Sequence, residues 1–138
     1  MFISEYTEIE KNGLKFLKAI RSDKLVEKKG YLLEFDDDID MQLAIFRIKG
    51  ELFCLSNICL HRHASEIYNG IIRDNTVTCP LHGWSYNYRT GENVNTKNGK
   101  ACLKTYQIFE ENNYIYIEKP EIKIPKWRDI NYDYNEDN

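Results

Sequence analysis

The chain has 138 residues, of which 42% are hydrophobic and 30% are charged, and its formal net charge is -3. This length fits one domain with a sizeable core, and no run approaches the roughly 20 apolar residues of a membrane-spanning helix. Residues 1–10 lack the basic flank and the apolar core of a secretory signal. We therefore expect a cytoplasmic protein with no membrane partner and no nucleic-acid partner.

Short apolar runs rich in Ile, Tyr and Phe recur along the first half of the chain and predict strands rather than helices. The predicted strands are Phe16–Ile20, Tyr31–Phe35, Met41–Ile48 and Leu52–Ser56. Lys49–Glu51 predicts the hairpin turn between the last two. Helical signals are poor: the candidates are a helix start with a Ser cap at Ser22–Glu27 and a single turn around Ala64–Tyr68, and neither segment sustains a 3.6-residue repeat.

The second half continues in the same way. Its predicted strands are Gly70–Arg73, Asn75–Thr78, Trp84–Tyr88, Leu103–Glu110 and Tyr114–Glu118. Turns are predicted at Arg73–Asn75, Arg89–Gly91 and Asn112–Asn113, where Asn, Asp and Gly tolerate the required backbone angles. Short strands at this density predict an all-β sandwich or small barrel.

Charge is distributed unevenly. Residues 57–105 carry six basic and three acidic side chains, a net charge of +3, so the remainder of the chain is acidic. Acidic side chains concentrate in Glu34–Asp40 and in Asp129–Asp137. Such runs are typical of solvated turns and tails, and the alternative is that the polarity orients a partner.

Two pairs of metal-ligating side chains stand out. Cys59 and His61 form a Cys-x-His pair, Cys79 and His82 form a Cys-x-x-His pair, and seventeen residues lie between the two pairs. Together they offer two sulfur and two nitrogen ligands, which predicts a metal site. Without an export signal, metal ligation is favoured over disulfides. We expect the remaining cysteines, Cys54 and Cys102, to be buried free thiols in apolar segments.

This pattern, with Gly83 and Trp84 directly after the last pair, resembles that of Rieske [2Fe-2S] proteins. Further similar segments bring the resemblance to roughly residues 14–118: Leu55–Asn57, Thr76–Pro80, Arg89–Glu92 and Leu103–Tyr106. The resemblance implies an all-β, Rieske-like antiparallel sandwich or small barrel with an inserted cluster-binding subdomain. We expect one domain over residues 1–120, the subdomain at about 57–96, and a C-terminal extension and polar tail over 121–138.

The resemblance also implies the ligand set. Cys59 and Cys79 would bind one iron of a single [2Fe-2S] cluster, and His61 and His82 would bind the other. An oxidised two-iron, two-sulfide core carries +2, so two thiolates leave it neutral whereas four would leave it at -2. Adding an electron to a neutral centre costs less, so His ligands raise the reduction potential above that of four-Cys ferredoxins.

Within the family, three positions favour the lower-potential ferredoxin or oxygenase type. High-potential members carry a disulfide between the two loops, where this chain has Ala64 and Leu81, and a Ser where it has Trp84. Fewer hydrogen bonds to sulfur leave the reduced state less stabilised. Tyr86 leaves two readings open: its hydroxyl bonds the sulfur of Cys59 or Cys79, or it reaches water.

The rim of the centre departs from the common family pattern at several positions. Leu60 and His63 stand where many relatives have Pro and Gly, and Thr96–Lys100 replaces a proline-containing loop. His63 is expected to be a solvent-exposed loop residue, with contact to a partner as the alternative. These changes bear on partner identity more than on ligation.

Several functions are compatible with such a site. A complete oxygenase is excluded, because its mononuclear iron needs two His and a carboxylate and only His63 is uncommitted. We therefore expect no enzyme but a one-electron carrier between a reductase and an oxygenase or other terminal enzyme, docking through its basic region on an acidic surface. The alternatives are the small subunit of a nitrite-reductase-type complex and a structural zinc module, which has similar ligands.

Overall fold

The computed structural model describes residues 2–3, 7–35, 38–58, 65–81, 83–94 and 102–121, and strands make up most of these ranges. The strands are β1 Phe2–Ile3, β2 Glu8–Lys11, β3 Leu14–Arg21, β4 Tyr31–Phe35, β5 Asp38–Ile48, β6 Glu51–Ser56, β7 Ile71–Arg73, β8 Thr76–Thr78, β9 Ser85–Asn87, β10 Thr105–Tyr106, β11 Ile108–Glu111 and β12 Tyr114–Glu118. Two short 3-10 turns cover Ser22–Lys24 and Ile67–Asn69. No helix in these ranges is long and apolar enough to cross a membrane.

The strands form three sheets. A large sheet has the order β1-β4-β5-β6-β10, a second sheet has the order β11-β12-β3-β2, and a small sheet has the order β7-β8-β9. Every pairing is antiparallel except that of β1 with β4. The predicted all-β antiparallel fold is confirmed.

A first hydrophobic core fills the space between the large sheet and the second sheet. In β12, Ile115 and Ile117 are fully buried while the residues that alternate with them are half-buried, as expected for a strand with one face on a core. They pack with Leu17 of β3 and with Leu43 and Ile45 of β5. This core fixes the two larger sheets face to face.

A second core lies on the opposite face of the large sheet and supports the small sheet. It contains Ala44 and Phe46 of β5 together with Leu55 of β6, Val77 of β8 and Tyr86 of β9. Because the middle of β5 is buried on both faces, its residues Leu43–Phe46 form a continuous apolar run and not an alternating one. The large sheet is therefore the middle layer, and the small sheet with its loops is one outer layer.

Most predicted strands are confirmed within two or three residues. The prediction Leu103–Glu110 is wrong in one respect, because the chain changes sheets within it. At Gln107, between β10 and β11, the backbone N–H donates to Glu118 Oε1 at 2.9 Å. The sequence prediction also missed β1 and β2, because both are short and three of the four side chains of β2 are charged, which leaves little apolar signal.

The predicted turns are confirmed and use residues that accept a positive φ. Lys49 and Gly50 have φ of 53° and 80°, and Asp74 has φ of 55°. Asn112 and Asn113 have φ of 53° and 69°. Both predicted helical turns appear as 3-10 turns, although Ala64, the start of the second prediction, lies outside the described residues.

The prediction for the two extra cysteines is half right. Cys54 is buried in β6 and contributes to the first core, as expected. Cys102 is exposed, so the prediction that it is buried is wrong. The physical reason is that Cys102 forms only an isolated bridge with Glu92 and belongs to none of the three sheets, so no opposing layer covers it.

Two glycines with the same backbone conformation allow a matched test of packing around the small sheet. Gly91 has φ of +83°, and a Cβ there would lie 1.9 Å from Leu103 O, whereas Gly13, also at +83°, has nothing within 4 Å. Gly13→Ala should lower the free energy of unfolding by about 1–2 kcal/mol, the cost of a left-handed residue. Gly91→Ala should cost more, because the backbone must also shift. Urea unfolding of both variants measures the difference, and equal losses would contradict the predicted clash.

Candidate metal centre

The predicted ligands lie on two loops next to the small sheet. The first loop, residues 57–67, follows β6 and carries Cys59 and His61, and the second loop, residues 79–84, joins β8 to β9 and carries Cys79 and His82. Cys59, His61 and His82 lie outside the described residues, and only Cys79 of the four lies within them. The structure therefore describes the stems of the loops and one proposed ligand.

Asn57 ties the two ends of the first loop to each other and to β5. Its backbone N–H donates to Gln42 O at 2.8 Å, and its backbone O accepts from Ile67 N at 3.3 Å. Its side-chain Nδ2 donates to Gln42 Oε1 and to Ser65 O, both at 3.0 Å, and its Oδ1 accepts from Tyr68 N at 2.8 Å. The stem of this loop is thereby fixed.

The second loop is closed by hydrogen bonds across its base. Cys79 N donates to Trp84 O at 2.8 Å, and Gly83 N donates to Cys79 O at 3.0 Å. Gly83 has φ of +76°, a conformation that glycine adopts at little cost. Just below, Thr78 Oγ1 and Ser85 Oγ are 2.6 Å apart and share a hydrogen bond. The position of Cys79 is therefore well defined.

The stems of the two loops meet at the second core. Ile67, at the end of the first loop, packs in the same buried cluster as Val77 and Cys79. Gly70 marks the closest approach, since a Cβ there would lie 2.4 Å from Val77 Cγ2 and 2.9 Å from the backbone O atoms of Ile67 and Thr78. The predicted ligands of the two loops are thus carried by stems that touch.

The setting of Cys79 suits a metal-bound thiolate. Its side chain is 0% exposed and lies in an apolar cluster. A thiolate in apolar surroundings is costly unless a positive charge compensates it, and a metal ion supplies such a charge directly. The donor set and this burial fit an iron-sulfur group.

Two aromatic residues line β9 and the end of the second loop. Tyr86 is fully buried, and its ring centroid lies 6.4 Å from that of the half-buried Trp84. The reading in which the Tyr86 hydroxyl reaches bulk water is wrong, because the side chain is not exposed. A hydroxyl bond to a ligand sulfur remains a prediction.

An exposed ion pair joins β6 to the turn after β9. Arg89 donates to both carboxylate oxygens of Glu51 at 2.8 and 3.1 Å, and its guanidinium stacks 5.0 Å from the Phe53 ring centroid. The guanidinium holds the pKa of the Glu51 carboxyl below its usual range. Because both side chains are more than half exposed, solvent screens the pair and it adds little stability.

The surface beside the second loop is apolar. Large hydrophobic residues of the described ranges that are more than half exposed are Val26, Ile71, Leu81 and Val94. Leu81 lies within the second loop. Ile71 pairs with Thr78, Thr78 pairs with Ser85, and Ser85 O accepts from Val94 N at 3.0 Å. One row across the small sheet therefore consists of Ile71, Thr78, Ser85 and Val94.

Comparison with known proteins identifies related sequences. The family description "Rieske [2Fe-2S] domain" matches residues 16–107. The chain is 32% identical over 84 residues to the 3-phenylpropionate/cinnamic acid dioxygenase ferredoxin subunit of Escherichia coli (strain K12), covering 61% of this chain and 78% of that protein. It is 27% identical over 96 residues to cholesterol 7-desaturase nvd of Hemicentrotus pulcherrimus, covering 62% of this chain but only 20% of the desaturase.

Solved structures share the fold. A ferredoxin of Sphingomonas yanoikuyae B1 superposes with a TM-score of 0.65 at 23% identity, covering 75% of this chain and 98% of that chain. A protein described as a nitrite reductase NADPH small subunit gives 0.65 at 18% identity with the same coverage. The reduced complex between oxygenase and ferredoxin in carbazole 1,9a-dioxygenase gives 0.65 at 24% identity, covering 80% of this chain and 30% of that chain.

Two buried titratable groups face each other where β6 pairs with β10, close to the start of the first loop. Burial raises the pKa of the Cys54 thiol above its ordinary value of 9.0 and raises that of Tyr106 from 10.0 to about 12. The folded state therefore keeps both protons at pH values where the unfolded chain loses them. The contribution of these two groups to the free energy of unfolding is complete below pH 9 and is lost as the pH rises above 9.

We therefore expect the free energy of unfolding to fall between pH 9 and pH 11. In the variant Cys54→Ala/Tyr106→Phe the free energy of unfolding should fall less over the same interval, because neither new side chain titrates. Urea unfolding at pH 7.5, 9 and 10.5 measures the slope for both proteins. Identical slopes in the two proteins would contradict the assignment.

Proposed function

Since the chain belongs to the Rieske [2Fe-2S] domain family, whose domains bind one [2Fe-2S] cluster, we propose that it transfers single electrons through that cluster. The relative with the higher coverage is the ferredoxin subunit of a dioxygenase. By analogy the chain would carry electrons between a reductase and an oxygenase or other terminal enzyme. It would itself be a carrier and not an enzyme, by analogy with that ferredoxin subunit.

We assign the cluster to Cys59, His61, Cys79 and His82. The observation that carries this assignment is the fully buried Cys79, held in a closed loop whose stem packs against the stem of the loop that bears Cys59 and His61. When bound, the cluster would accept and release one electron. The protein's part would be to hold two thiolates and two imidazoles, with Cys79 buried away from water.

The residues near the loops support a potential of the lower, ferredoxin type. Leu81, at a position where high-potential relatives have a bridging cysteine, is 58% exposed. Trp84 stands where those relatives have a hydroxyl donor. Tyr86, fully buried in β9, would raise the potential if its hydroxyl bonded a ligand sulfur.

A second candidate role is that of a small subunit within a nitrite-reductase-type complex. The observation that favours it is the superposition on such a subunit, of which this chain covers 98%. Copurification with a large subunit would support this role, and solitary behaviour with rapid reduction by a flavoprotein reductase would support the free carrier. The structural zinc module is not favoured, because the family match covers both ligand pairs.

The apolar surface beside the second loop is suited to a redox partner. Leu81 directly precedes His82 in the sequence, Ile71 and Val94 lie in the row across the small sheet, and all three are more than half exposed. Docking there would bury apolar area and bring the partner within short range of the histidine end. The described part of residues 57–105 is electrically balanced, so the predicted acidic partner rests on Arg62, Lys97 and Lys100, which lie outside it.

The four cysteines provide a matched test of the ligand assignment. Cys59→Ala and Cys79→Ala should each abolish the cluster, whereas Cys54→Ala and Cys102→Ala should keep it, because only the first two would bind iron. Iron and acid-labile sulfide content, the visible spectrum and the EPR signal after reduction measure the outcome. A colourless wild-type protein containing zinc, or a cluster that survives in Cys79→Ala, would contradict the assignment.

The docking surface is tested with a flavoprotein reductase that reduces the wild-type chain. Leu81→Glu should slow this reduction about tenfold, equivalent to roughly 1.4 kcal/mol, while reduction by dithionite stays unchanged. Val26→Glu is the control, since Val26 is equally exposed but lies outside the row and the loop. Equal slowing by both variants would show that the surface has no special role.

A further inference from the structure

The strongest polar feature outside the proposed ligand set is the hydrogen-bonded side chain of Asn57. It is 0% exposed, and Asn93, at 5%, is the other buried polar residue in the described ranges. Both N–H groups of the Asn57 side chain are used, one by Gln42 and one by Ser65, and its oxygen accepts from Tyr68. A buried amide satisfied in this way is a rigid connector and not a filler of space.

The orientation of this amide is determined by backbone groups. Ser65 O can only accept and Tyr68 N can only donate, so Nδ2 must face the first and Oδ1 the second. An Asp at position 57 would set oxygen against oxygen at Ser65, and a Leu would leave both backbone groups unpaired. Asn is therefore the residue type that this position requires.

The connector joins the two sides of the loop that carries the first ligand pair. Asn57 precedes Cys59 by two residues, while its partners Ser65 and Tyr68 follow His61. Its bonds to Gln42 attach both sides to β5, in the rigid middle layer of the fold. One side chain thus sets where the loop leaves the sheet and where it returns.

We propose that Asn57 is a positioning residue for the cluster, acting through the backbone of the first loop on Cys59 and His61. The inference rests on the proposed function. Groups that orient metal ligands without touching the metal typically change metal affinity about 10- to 100-fold when they are removed. Asn57 fills this role with an uncharged amide that does not titrate, so its influence is independent of pH.

The test compares cluster retention and electronic structure with global stability. In Asn57→Ala, iron release from the reduced protein to a ferrous chelator should be about tenfold faster or more, at a temperature where circular dichroism shows native structure. The g-values or linewidths of the reduced EPR signal should change as well. Ile117→Val, a destabilising change in the remote first core, should lower the melting temperature without altering either readout.

Gln42→Ala gives a graded comparison, because it removes one partner of Asn57 and keeps the bonds to Ser65 and Tyr68. Its release rate should rise by about threefold, the effect of one neutral hydrogen bond. The double variant Gln42→Ala/Asn57→Ala should match Asn57→Ala, since Gln42 acts through Asn57. If Asn57→Ala does not fold, the comparison of Gln42→Ala with Ile117→Val, in iron release and in the EPR signal, tests the proposal instead.

The proposal is overturned if Asn57→Ala, or Gln42→Ala where the former does not fold, keeps the wild-type EPR signal and release rate while losing stability like Ile117→Val. Asn57 would then be a purely structural residue. Failure of the proposed function is recognised separately, because in that case the wild-type chain itself would hold no [2Fe-2S] cluster.

Discussion

Contact between the stems of two loops is the constraint on which the proposed centre depends. Ligands on two separate loops can bind one cluster only if the stems of the loops hold them near each other. Here that structure is the second core, where Ile67 and Val77 pack together and Gly70 permits an approach that any side chain would block. The large sheet supports this core as a rigid middle layer, because β5 is buried on both of its faces.

Burial and exposure are divided across the proposed centre in a way that suits electron transfer. Cys79 lies fully inside the apolar cluster, whereas Leu81, two residues later, is 58% exposed. Around Cys79 the low dielectric constant raises the energetic cost of any net charge on the centre. Two thiolates and a +2 core give a net charge of zero, so this cost is avoided. The exposed Ile71, Leu81 and Val94 then offer a partner apolar side chains that lose little by desolvation.

Most of the fold could be predicted from the sequence, because strands such as β4 and β12 carry their own apolar pattern and their turns carry Asn, Asp and Gly. The features that were missed depend on partners distant in the chain. The exposure of Cys102 reflects the lack of an opposing layer, and the change of sheet at Gln107 depends on Glu118. The four predicted ligands came from spacing and family resemblance, whereas the role of Asn57 requires knowledge of which groups surround it.

The central claim is that one two-iron cluster is bound by sulfur at one iron and by nitrogen at the other. Mössbauer spectroscopy of the oxidised protein enriched in 57Fe tests it most directly, because it distinguishes iron atoms by their ligands. With the proposed ligands we expect two quadrupole doublets of equal area with different isomer shifts, one for the iron of Cys59 and Cys79 and one for the iron of His61 and His82. A single doublet, or a protein that binds no iron, would contradict it.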